Sequence, residues 1–136
     1  MKIRWTAGSV RLRISPTELS RLERGEPLEE RLGLPGGAAG GRGWVIVLAP
    51  GSETSAIAAD GNVVRFDLGR AEVARLSDPT IEGVYCQQPA DSGDGGDGFS
   101  FYVEKDFPCI HPRPSEITEP ETETFAPPVG FAERKA

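Results

Sequence analysis

Laying residue 10 on residue 64 aligns VRLRISPTELSRL with VRFDLGRAEVARL. Val, Arg, Glu, Arg and Leu are identical, and Leu12/Phe66, Ile14/Leu68 and Leu19/Val73 match in kind. A chain that repeats itself must build the same unit twice, and two such units close most simply about a pseudo-two-fold axis.

The unit can be read from the first half. Around a turn at Ala7-Gly8, one register sets Lys2 opposite Arg13 and Arg4 opposite Arg11, with Ile3, Trp5, Val10, Leu12 and Ile14 on the other face. SPTELSRLERG then reads as a short helix: Ser15 is the N-cap, Pro16 opens the first turn, Glu18 completes a capping box and Gly25 stops it. A strand over 28–34, the loop PGGAAGGRG and the strand WVIVLA follow. WVIVLA is apolar on both sides and so suits a central or covered position.

The second half has the same order. SAIAA and VVRFDL form a hairpin about Gly61-Asn62, RAEVARL a helix ended by Asp78-Pro79, IEGVYC a strand, QQPADSGDGGDG a loop and FSFYVEK a strand. The predicted fold is α+β and β-dominated. It is an antiparallel sheet or barrel of about eight strands, built from two ββαββ repeats with two short helices. One domain spans 1–111, with repeat one over about 1–50 and repeat two over about 55–107. Residues 112–136 form an acidic, Pro-rich tail, disordered or docked through Phe125, Val129 and Phe131.

At 136 residues the chain can bury a core without metal or disulfide staples. No apolar run approaches the roughly 18 residues of a membrane span, and MKIRW lacks a signal-peptide pattern. The expected location is the cytoplasm, with no membrane partner, and the two cysteines are expected as thiols. A net charge of −6 argues against nucleic acid as a partner. The charge is uneven: cations crowd the first hairpin, and Glu116, Glu119, Glu121 and Glu123 crowd the tail.

Three sites compete. The hairpin face Lys2/Arg4/Arg11/Arg13 sets like charges opposite each other, which destabilises unless something compensates. Water and carboxylates such as Glu29 or Glu30, the folded-back tail, or a bound anion such as a phosphate ester would each do so. The second candidate is Cys109-Ile-His111, which brings the one histidine beside a cysteine. In an extended segment both point to one side, with Cβ atoms about 7 Å apart. A direct thiolate–imidazolium pair is strained at that spacing. Both could reach one zinc or copper ion, with Cys86, Glu104 or Asp106 completing it. A Cys86–Cys109 disulfide is a further option. In the plainer reading, Cys109 is a small buried hydrophobe at a strand end, and Phe101, Val103 and Phe107 are buried. Glu104 and Lys105 then fall on opposite sides, with Lys105 snorkelling to solvent. The third candidate, the Gly-rich loops, is better read as flexible connections, with weak calcium binding at Asp91, Asp94 and Asp97 as the lesser option. GGAAGGRG has no Lys-Ser/Thr and opens a strand, and DSGDGGDG lacks the closing Glu of a calcium loop.

The pieces MKIR, VRLRIS-PTELSRL and EKDFPCIHPR together resemble a family of small bacterial proteins that carry a domain of unknown function. These begin with an MKIR strand and end on an EKDF-x-C-x-H strand. The resemblance implies no reaction. It marks Glu104, Lys105, Asp106, Phe107, Cys109 and His111 as the most distinctive stretch.

No catalytic constellation emerges from the residues. The expected function is a binding or regulatory module, non-enzymatic and without a cofactor, acting on a protein partner. The alternatives are a metal-binding protein and an anion-binding one.

Overall fold

The computed structural model describes residues 1–33, 43–88, 98–108 and 123–130. Eight strands and two helices run in the order β1 (Lys2–Thr6), β2 (Ser9–Ile14), α1 (Pro16–Glu23), β3 (Leu28–Leu32), β4 (Trp44–Ser52), β5 (Ala56–Asp60), β6 (Val63–Gly69), α2 (Arg70–Leu76), β7 (Gly83–Gln88) and β8 (Phe99–Lys105). Both segments of the internal match, 10–22 and 64–76, are strand followed by helix.

The first hairpin has the register that its charge pattern predicts, Lys2 opposite Arg13 and Arg4 opposite Arg11. Helix α1 is capped as its sequence indicates. Ser15 Oγ accepts from Glu18 N–H, and Glu18 Oε1 accepts from Ser15 N–H. Leu19 and Leu22, one turn apart, are buried. Strand β4 continues past the predicted Ala49 to Ser52, because a bulge at Gly51, at φ of 100°, carries the chain beyond Pro50.

The sheets differ from the expected antiparallel sheet or barrel. There are two, each four-stranded and mixed, ordered β1-β2-β8-β7 and β3-β4-β6-β5. Each joins two antiparallel hairpins through one parallel pair, β2 with β8 or β4 with β6. Each sheet therefore takes one hairpin from each half of the chain. The two orders correspond when β1, β2, β3 and β4 are exchanged for β5, β6, β7 and β8.

The inner faces of both sheets share one core. Val10, Leu12, Phe101, Val103 and Val84 of the first sheet pack with Ile46, Leu48, Phe66 and Leu68 of the second, together with Leu22 and Leu76 of the helices. Phe66 meets Phe101 edge-on at 5.2 Å, the favoured aromatic geometry. The helices touch each other, α1 packing on β3 and β4, and α2 on β4, β6 and β7. At one sheet edge the Met1 amine donates to Glu30 Oε1 of β3 (2.8 Å) and to Glu18 Oε2 of α1 (2.6 Å). At the other, Gln88 Oε1 accepts from Ile57 N–H of β5 (2.8 Å).

Two outcomes follow. Phe101→Ala removes a ring held between the sheets and should cost about 3–5 kcal/mol in urea unfolding. The Met1 amine gives a pH signature. Burial pulls its pKa down, but the hydrogen bonds and charges of Glu18 and Glu30 outweigh this and hold it above its ordinary 8.0. A pKa raised by folding adds stability that is complete below the unfolded value and lost as pH rises through the folded one. Urea midpoints should therefore fall as pH climbs from about 8, and N-terminal acetylation should flatten that slope.

Candidate functional site: the outer face of the first sheet

Alternation along β2 sends Val10, Leu12 and Ile14 into the core and leaves Arg11 and Arg13 exposed on the outer face. Arg4 and Lys2 extend that face on β1, as their register requires. The parallel neighbour β8 adds Tyr102 beside Arg11 and Glu104 beside Arg13. Strand β7 adds Tyr85 opposite Tyr102.

Counter-charges come from β8 and the residue after it, not from Glu29 or Glu30. Glu104 lies between Arg11 (4.0 Å) and Arg13 (3.8 Å), and Asp106 pairs with Lys2 at 2.9 Å. Glu29 instead meets Arg31, and Glu30 the Met1 amine. Among the described residues Arg4 has no ion pair. Gly83 lets the β8 backbone approach closely here. A Cβ there would sit 2.9 Å from the Val103 carbonyl oxygen and 3.1 Å from Glu104 Cγ. The Arg11 guanidinium lies over the Tyr102 ring at 5.4 Å, and Tyr102 meets Tyr85 edge-on at 5.0 Å. Tyr85 is 67% exposed.

The EKDF stretch is where distant parts of the chain are tied together. Glu104 holds β2, and Asp106 N–H donates to the Ile14 carbonyl (2.9 Å) while its side chain holds Lys2. Phe101 and Val103 are buried as expected, and Phe107 is half-buried. Lys105 departs from the snorkelling expectation. It is only 6% exposed, and its Nζ donates to the Asp78 carbonyl (2.9 Å) beneath the Phe125 ring (5.5 Å). Burial pushes its pKa down, against the attraction of Asp78 and Glu23. The 123–130 segment docks here and not on the cationic face. Phe125 N–H donates to the Asp106 carbonyl, its ring meets Phe107, and Glu123 Oε2 accepts from Thr17 Oγ1 of α1.

Cys109 and His111 lie outside the described residues, as do Asp91, Asp94 and Asp97 of the second Gly-rich loop. Of the residues expected to complete a metal site, Cys86 is a buried free thiol within the core cluster. Burial pushes its pKa up, partly offset by a hydrogen bond with Ser55. Glu104 lies on the opposite face of the sheet from Cys86, and Asp106 is engaged with Lys2. No group of three His, Cys, Asp or Glu suited to a metal occurs among the described residues. Tyr85 and Tyr102 escaped sequence reasoning. The period-two pattern of FSFYVEK turns Tyr102 outward, but nothing local places it beside Arg11.

Lys105 offers a direct check on this geometry. Amine labelling at mildly alkaline pH, read by peptide mass spectrometry, should be much slower at Lys105 than at Lys2. Phe125→Ala should speed Lys105 and leave Lys2 unchanged.

No helix is long and apolar enough to cross a membrane among the described residues. No curated protein and no solved structure matches the chain. One family model does match, over residues 1–128, a span that takes in both sheets, both helices and the docked Phe125. The chain therefore belongs to a family of unknown function, DUF7009.

Proposed function

We propose that the protein is a non-enzymatic binding module of the cytoplasm whose protein partner docks on the outer face of the first sheet. The observation that carries this reading is the Arg11–Tyr102–Tyr85 row, where an arginine is held over one tyrosine and a second stands 67% exposed. Tyrosine and arginine are enriched at protein interfaces and among the residues that dominate their binding energy. The cations also suit a protein better than a bare anion. Lys2, Arg11 and Arg13 already have carboxylates nearby, so an anion would have to displace Glu104 or Asp106.

Site-specific placement of a photo-crosslinking residue at position 85, in the source cells, should trap one discrete protein. Arg11→Glu should abolish that adduct with the melting temperature unchanged. Inorganic phosphate should stabilise no more than chloride at equal ionic strength. Diffuse cross-linking insensitive to Arg11→Glu, or a phosphate-specific stabilisation lost in Arg11→Ala, would contradict the reading.

A further inference from the structure

Strand β1 is tied to the fold through β2, the Lys2–Asp106 pair and the Trp5–Phe99 ring contact (6.1 Å), but among the described residues its outer edge is open. All five of its residues are exposed, and it lies at an edge of its sheet. Its apolar residues are not turned away from water: Ile3 is 37% and Trp5 54% exposed. Among the described residues no backbone hydrogen bond joins its free side to another segment. The edge strand β5 differs, since its Ile57 N–H is taken by Gln88.

The hairpin register decides which groups are free. Thr6 faces Ser9 across the two-residue turn, so Thr6, Arg4 and Lys2 exchange hydrogen bonds with β2. The N–H and C=O groups of Ile3 and Trp5 then point outward. A strand added at this edge continues both faces of the sheet. On the outer face its side chains meet Lys2 and Arg4, and on the inner face Ile3 and Trp5.

Cross-strand chemistry selects the occupant. Two copies pairing β1 to β1 about a two-fold axis would set Lys2 and Arg4 against each other, a like-charge arrangement that destabilises and that guards natural edges. Carboxylates on an incoming strand reverse the sign, and Arg4 has no ion pair among the described residues.

We propose that β1 is a strand-addition site: an extended segment of a partner protein, alternating acidic and apolar side chains, pairs with the Ile3 and Trp5 backbone, an acid over Arg4 and its apolar residues against Ile3 and Trp5. This rests on the reading of the protein as a binding module and names the mode of binding.

A displayed library of random ten-residue peptides, selected on the full chain, tests it. Enriched sequences should alternate Asp or Glu with apolar residues. The best of them, synthesised, should slow amide exchange at Ile3 and Trp5 by an order of magnitude or more. Trp5→Ala and Arg4→Glu should each weaken its binding about tenfold. N-methylation of the peptide at alternate residues should abolish binding. No enrichment, binders without alternation, or binders indifferent to N-methylation would overturn strand addition. So would a dimer of the protein alone that protects the same amides. Failure here with the position-85 cross-link intact strikes only strand addition, whereas loss of both strikes the module reading itself.

Discussion

The parallel pairing of β2 with β8, and of β4 with β6, is the constraint on which the rest depends. Each hairpin alone exposes one apolar face and is marginal in water. Val10, Leu12 and Ile14 find cover only when β8 arrives with Phe101, Val103 and Lys105 in register and the second sheet closes from the other side. Residues from the two halves of the chain are thus interleaved in both sheets. Neither half has a core of its own, and the loop-closure entropy of joining Ser9 to Ser100 must be met before burial repays it. A slow, strongly cooperative folding transition is the physical consequence.

The same pairing builds the outer face. Four cations on one hairpin repel, and neither their own strand nor the neighbouring β3 relieves them. Relief arrives with β8, which slides Glu104 between Arg11 and Arg13 and brings Asp106 to Lys2. The Glu104 pairs, at 4.0 and 3.8 Å on a partly exposed carboxylate, contribute at most about 1 kcal/mol, whereas Lys2 neutralises the buried Asp106; ion pairing alone does not account for the two arginines. The cations repel one another and leave Arg11 stacked on Tyr102.

Legibility in the sequence followed the range of the interaction. The β1–β2 register, the Ser15 cap and both helices were readable because period-two alternation, a two-residue turn and a capping box are local. The order of strands within each sheet was not. Parallel pairing between strands far apart leaves no periodic trace beyond the wholly apolar WVIVLA of β4. Lys105 shows the same limit. A lysine following an apolar strand is expected to reach water. It stays inside because the Asp78 carbonyl and the Phe125 ring, from two other segments, receive it. The unequal faces of β8 were foreseeable, and the partners waiting on each face were not. Position 109 and position 111, which drew most attention in the sequence, fall outside the described residues.

Native-state amide exchange across the four central strands tests the interleaved architecture most directly. If each sheet is completed by the other half of the chain, the slowest amides of β2, β4, β6 and β8 should all exchange through one opening, with the free energy of global unfolding. Their denaturant dependence should coincide. Opening of β2 together with β1 at a markedly lower free energy, while β7 and β8 stay protected, would contradict it. The first hairpin would then be an appendage of a core that closes without it.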